Sequence, residues 1–259
     1  MPFTFAHPLY AAPLKVVKPT AISLTGIVLG SMSPDFEYFI ALEPYQTIGH
    51  STMGLIFQAI PLSIVFAFLF HYLVKSAIAA HMPAWLGIDR RAQQLIRAYP
   101  WRMNKISNWI VFIISVVIGF YSHVIIDGFT HLTGYFVMRS TFLQLEVIGY
   151  PLFKFFQHGL SLLGLSIQAI FVLLLFKRTK PAGDTCSVSV RDKILFWITV
   201  AVVAVIVVGL KFSLTTSTNY IGMGVVSLLS GIILGIIVAA SIYRVRLFKN
   251  RITASNTSE

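Results

Sequence analysis

Charge is what this sequence has least of. Only 11% of its 259 residues are Asp, Glu, Lys or Arg, against about 25% in an ordinary soluble domain. Its single cysteine, Cys186, excludes an intrachain disulfide and a multi-thiolate metal site, and no role follows for it. The sequence has no Gly-rich phosphate loop, no Gly-x-Ser-x-Gly elbow and no His-Glu-x-x-His. P-loop, serine-hydrolase and zincin chemistries therefore have nothing to rest on. The opening MPFTFAHPLYAAPLK has no basic residue before Lys15, which argues against a cleaved signal peptide.

What is abundant is apolar sequence in long blocks. Hydrophobic residues make up 56% of the chain and the mean hydropathy is +0.80. The blocks run to roughly 20 residues, the length of a bilayer span. The expected fold class is all-α, a polytopic helical membrane protein with about six membrane segments. Five blocks read as clear spans, at about 53–74, 107–127, 156–176, 194–214 and 221–243. The sixth, about 20–42, is weaker. About 14 residues separate its Pro19 from Pro34, roughly 21 Å of helix against a hydrocarbon core of ~30 Å. A broken or re-entrant segment is expected there, a geometry tolerated only where protein or a wet cavity surrounds it.

The formal net charge of +11 invites a nucleic-acid partner, but the Lys and Arg residues lie between the blocks. They gather in 75–106, in 177–193 and in the tail YRVRLFKNRI, whereas 128–155 holds only Arg139 and Lys154. Positive-inside bias accounts for this without nucleic acid. It places the basic loops and the C-terminus in the cytoplasm, for a multi-pass protein of the inner (cytoplasmic) membrane, with 43–52 and 128–155 on the opposite face. The chain divides into a membrane domain over 1–176 and a second part over 177–259, made of a cytoplasmic loop, two further spans and a basic tail. Within 75–106, RRAQQLIRAYPWRM is apolar enough on one side to lie along a membrane surface. Gly209, Gly222, Gly224, Gly231 and Gly235 suit close packing of the last two spans, and Lys211 is expected to snorkel.

Ionisable groups inside apolar sequence cost several kcal/mol, so a functional role is the default hypothesis for them. Asp35, Glu37 and Asp127 lie in or at the ends of apolar blocks. His123 and Asp127 are four residues apart and share a helix face. Such a pair either chelates a divalent metal or joins helices by a hydrogen bond. His50, in IGHSTMG, precedes one span and Asp127 ends the next, so both fall at the non-cytoplasmic end. The stretch SMSPDFEYF precedes that same end. Asp35, His50, His123 and Asp127 then supply donors enough for one divalent ion, with Glu37 as a spare carboxylate to act as catalytic base. His7, in FAHPLY, reads equally as a site or a surface residue. His131 depends on whether the helix continues past Gly128. Gln157 and His158 open their span at the site's end and could support the ligands. His71 is expected to pack or hydrogen-bond between helices, and His81 to be solvated.

The segments MPFTFAHP, LGSMSPDFEYF, GHSTMG, SHVIIDGFTH and PLFKFFQHGLSLLG follow one another over about residues 1–176. Together they resemble the uncharacterised bacterial membrane family DUF4184, itself similar to the YdjM-like predicted membrane-bound metal-dependent hydrolases. The resemblance implies metal ligands at an N-terminal His, a Pro-Asp motif, a following His and a late His-x-x-x-Asp. The matching positions here are His7, Asp35, His50, His123 and Asp127. The YdjM-like proteins carry Pro-Asp-x-Asp; this chain has PDFE, which puts Glu37 where a second Asp would stand, as ligand or base. The implied function is a membrane-embedded metal-dependent hydrolase acting on a phosphate ester or lipid at the non-cytoplasmic face. Its cofactor would be a divalent metal, zinc first, with manganese or magnesium as alternatives, and its partners would be membrane lipid and that substrate. Two other readings stand beside it: a transporter or ion-coupled carrier, and a non-catalytic membrane protein with a structural metal.

Overall fold

The computed structural model describes residues 3–183 and 188–256, with side chains as far as Arg246. Cys186 and Asp184 lie outside the described residues. The chain is helical almost throughout. Its elements are α1 Pro8–Ala11, α2 Leu14–Val17, α3 Leu24–Met32, α4 Phe36–Ala41, α5 Thr52–His81, α6 Ile88–Ala98, α7 Ile106–Thr130, α8 Thr141–Gln144, α9 Leu152–Arg178, α10 Val190–Leu214 and α11 Tyr220–Asn256. Among the described residues there is one short hairpin, β1 Glu146–Val147 with β2 Tyr150–Pro151.

Among the described residues, five helices are long and apolar enough to cross a membrane: α5, α7, α9, α10 and the Tyr220–Arg246 part of α11. The protein is thus an all-α, polytopic membrane protein. Each helix outruns the apolar block that announced it. Serine caps account for part of the extension. Ser51 accepts from the Gly54 N–H at the start of α5, and Ser189 accepts from the Asp192 N–H at the start of α10, each satisfying one orphan donor of the first turn.

The weak sixth segment is broken, as its prolines suggested. α3 has nine residues, about 14 Å of helix, too short to cross. Pro34 offers no N–H to continue the ladder, and the chain makes a 3₁₀ turn over Ser33–Asp35 before resuming as α4.

The contacts divide the chain into two compact units, one of residues 1–37, 46–67 and 102–175, the other of 38–45, 68–101 and 176–259. In the first, α3 lies directly on α7. A Cβ at Gly30 would stand 2.2 Å from the Val116 carbonyl oxygen, and one at Gly119 2.5 Å from that of Ile27. Only glycine at both positions lets these backbones meet, the small-residue contact usual between membrane helices. The N-terminal stretch runs along α9. The Phe3 N–H donates to Ser161 Oγ at 3.0 Å, Tyr10 Oη to the Leu160 carbonyl at 2.6 Å, and Gln168 Nε2 to the Phe5 carbonyl at 2.9 Å.

In the second unit α10 packs on α11 over a core of Ala77, Phe196, Val200, Ala239 and Ala240. Of the five glycines expected to mediate this contact, Gly231 and Gly235 lie where an added Cβ would stand 2.8 Å from the Ala204 and Val200 backbones. Gly209 has open space around it. The expectation of a solvated His81 needs correction here. His81 is buried, 2% exposed, because α5 continues seven residues past the apolar block's end at 74. Its Nδ1 lies 2.7 Å from the Ala77 carbonyl and its ring stacks on Phe196 at 4.3 Å. Lys211 donates to the Ala41 carbonyl at 2.9 Å and pairs with Glu43 at 3.2 Å. His71 packs as expected, its ring stacked on Trp101 at 4.4 Å.

Candidate metal centre

The polar residues that the apolar sequence could least tolerate meet in the first unit. α7 carries His123 and Asp127 one turn apart on its buried face. The 3₁₀ turn forced by Pro34 presents Asp35. The loop capped by Ser51 presents His50. The 3₁₀ turn Thr4–Ala6, ending where Pro8 starts α1, presents His7. Four of the five are inside the protein, at 1% exposure for His7, 2% for Asp35, 0% for His123 and 9% for Asp127, and His50 is half-buried.

Asp127 is the hub. Its Oδ2 lies 3.1 Å from His123 Nε2 and 3.2 Å from His50 Nε2, and its Oδ1 lies 3.5 Å from His7 Nε2. Asp35 Oδ1 faces the same two nitrogens, at 3.7 Å from His123 and 3.8 Å from His50. Its Oδ2 accepts a hydrogen bond from the Thr4 hydroxyl. The His7 and His123 rings stack with centroids 3.7 Å apart. Two overlapping triads, His7–His123–Asp127 and Asp35–His50–His123, each bring a donor atom per residue within 4.8 Å of the others and could hold a metal ion.

Hydrogen-bond accounting separates this cluster from an ordinary buried network. His123 Nδ1 lies 2.7 Å from the Ser31 carbonyl. A carbonyl only accepts, so Nδ1 carries the proton and Nε2 turns its lone pair toward two carboxylates. Lone pairs facing one another at such distances need a cation or a further proton between them. A proton on His123 would answer for that nitrogen alone. Both nitrogens of His7, Nδ1 of His50 and Oδ1 of Asp127 are buried without a hydrogen-bond partner, which is costly for any buried polar atom. Burial, followed by the neighbouring His123, holds His7 well below the usual imidazole value, so it is neutral and offers a lone pair. Ligand atoms about 2.1 Å from a tetrahedral ion stand about 3.4 Å from each other, and the N···O separations around Asp127 run from 3.1 to 3.5 Å. The donor set fits a divalent ion.

Glu37, expected as the base, is engaged elsewhere. Its carboxylate accepts from the backbone N–H groups of Thr47 at 2.7 Å, Ile48 at 3.1 Å and Gly49 at 3.2 Å, and from the Thr47 hydroxyl. It therefore folds down the loop that ends in His50. Gly49 permits the approach, since a Cβ there would stand 2.2 Å from the Pro34 carbonyl oxygen. His131 follows the end of α7, half-buried, with Nδ1 3.5 Å from Asp127 Oδ1. Gln157 is buried but takes its bond from Lys154 at 2.9 Å, and His158 is exposed. Among the described residues, neither bonds to a cluster side chain. Sequence reasoning missed Thr4 and Ser31. Thr4 gave no signal beyond its nearness to His7, and Ser31 acts through a backbone carbonyl that any residue would supply.

The model of one family, a domain of unknown function (DUF4184), matches residues 1–241. The chain belongs to the DUF4184 family. No curated protein and no solved structure matches it. The DUF4184 match continues beyond the motifs of residues 1–176 through α10 and into α11. The second unit of this DUF4184 chain holds a cavity of about 620 Å³ lined by Trp85, Lys193, Trp197 and Ile198, among others. None of the cluster residues lines it, and its walls are almost wholly apolar.

Proposed function

We propose that this DUF4184 protein is a membrane-embedded metal-dependent hydrolase, acting on a phosphate ester or lipid at the membrane face where the cluster lies. The observation that carries the reading is the convergence of His7, Asp35, His50, His123 and Asp127 with buried nitrogen and oxygen atoms that lack partners. Three imidazoles with two carboxylates favour zinc, with manganese or magnesium as alternatives. Such an ion, when bound, supplies Lewis-acid activation for hydrolysis. The protein's own residues prepare for it. Ser31 fixes the His123 tautomer, Thr4 holds the second oxygen of Asp35, and Glu37 holds the His50 loop, so Glu37 serves as a positioning group rather than the base. Half-buried His50 and His131 mark the accessible side. The charge pattern supports a cytoplasmic C-terminus and a non-cytoplasmic cluster in the inner membrane. The likeness of the motifs to the YdjM-like hydrolases supports the reaction class.

The near-complete burial of four of the five residues favours a second reading, in which the ion is structural and the protein does not catalyse. Elemental analysis of detergent-purified protein tests the metal: about one ion per chain in the wild type, lost in Asp127→Ala and His50→Ala. Stoichiometric metal in both variants removes the centre. Hydrolysis of phosphoesters and lipids by the metal-loaded wild type, absent in both variants, supports the enzyme. Equal rates in all three leave only the structural ion.

A further inference from the structure

The segment between α7 and α9, residues 131–151, is folded yet turns apolar side chains outward. It has its own small core of Val137, Leu143 and Phe153, with Phe136 packed against it. The Phe136 N–H donates to the Gly128 carbonyl at 3.1 Å and its ring stacks on Phe129 at 3.9 Å. Gln144 Nε2 donates to the Val137 carbonyl at 2.7 Å. The inside is therefore filled. The outside nonetheless exposes Tyr135, Met138, Phe142, Leu145, Ile148 and Tyr150, each more than half accessible. Arg139 lies over the Tyr135 ring at 3.9 Å, so even the local cation sits on an aromatic face.

The hairpin tip is the most pointed case. β1 and β2 are joined by Ile148 and Gly149, both with positive φ, 52° and 75°, the pattern of a type I′ turn. Asn or Asp is usual at its first central position, and a β-branched residue at positive φ is strained. Ile148 accepts that strain and is 88% exposed. A solvated tip would gain nothing from isoleucine there; a tip in hydrocarbon would.

We propose that residues 131–151 form an interfacial cap whose partner is the bilayer itself, with the Ile148 tip inserted at the boundary between headgroups and acyl chains. Both ends of the segment are tied to helices that cross the membrane, ending at Thr130 and starting at Leu152, so it stays at that boundary. Tyrosines and an arginine set among large aliphatic residues are the side chains such a boundary accommodates. The cap follows from this geometry and does not depend on the metal. If the hydrolase reading also holds, the cap has a consequence for substrate class. A Cβ at Gly134 would stand 2.5 Å from the Gly128 carbonyl oxygen and 2.9 Å from that of Asp127, so the cap borders the cluster, and an amphiphile lying in the same layer is the molecule best placed to reach it.

The test is depth-resolved quenching in liposomes. Ile148→Cys, Phe142→Cys and, as a control in the basic loop, Lys180→Cys are made in a Cys186→Ser background, labelled with an environment-sensitive fluorophore and reconstituted into vesicles with and without brominated phospholipid. The cap predicts blue-shifted emission at 148 and 142, with quenching by shallow bromines about threefold stronger than at 180, and weak quenching by aqueous iodide. Strong iodide quenching with no bromine effect at both 148 and 142 overturns it. Metal content measured on the same samples shows whether the centre stands or falls separately.

Discussion

The two units bury ionisable groups in opposite ways. In the second, Lys193 meets Asp89 at 2.5 Å, Lys211 meets Glu43 and the Ala41 carbonyl, and His81 meets the Ala77 carbonyl while its own carbonyl receives the Trp197 indole N–H at 3.0 Å. Each of these groups is answered by the protein, and the result is architecture. In the first, the histidines and aspartates face one another around a common point with donor and acceptor atoms left over. Burial of charge is tolerated when it is paired. Where the chain itself does not complete the pairing, the missing partner is the best guide to function.

Substitutions can break this contrast from either side. The largest effect is expected for His123→Ala and His7→Ala, which should take bound metal from about one ion per chain to below a tenth, read by elemental analysis; undiminished metal in both would place the ion elsewhere. In the second unit, Asp89→Ala strands a buried ammonium. It should cost about 3–5 kcal/mol, visible as a lower Tm in detergent, with metal content intact. A parallel loss of metal would show that the contrast between the units is false. Glu37→Gln removes the charge that gathers the Thr47–Gly49 donors but leaves every proposed ligand in place. Affinity should fall about 10–100-fold, measured by competition with a chromophoric chelator, and an unchanged affinity would mean that other contacts hold the His50 loop. Smallest is Thr4→Val, which frees one oxygen of Asp35 and should weaken binding by about tenfold or less, measured in the same titration.

The helices and most of the cluster were legible because both follow from solvent preference. A run such as 107–127 has few options besides a buried helix, and an aspartate within it needs a reason. The Pro19–Pro34 spacing foretold a broken segment because proline's missing donor acts locally. What could not be read was pairing across distance. Glu37 looked like a base because PDFE shows a spare carboxylate; that it faces three N–H groups of Thr47–Gly49 depends on how the loop folds back. The glycines of α10 and α11 were noticed, whereas Gly30 and Gly119, which weld α3 to α7, were not. Their importance appears only when two helices are known to be neighbours. His81 was misjudged for a related reason: the apolar block ends at 74, but the helix does not.

The way the N-terminal stretch is held has a consequence in time. Its carbonyl at Phe5 is bound by Gln168, 163 residues later, and its N–H at Phe3 by Ser161. Translation proceeds in one direction, and domains fold as their parts become available. Asp35, His50, His123 and Asp127 are therefore made, and can gather, well before α9 exists to brace His7 against them. Until that helix is made, His7 is held by the Thr4–Asp35 hydrogen bond and the packing of α1 on α3, without the clamp. Closure of this clamp is in this sense a late event, open only to a chain whose first three long helices have all been made.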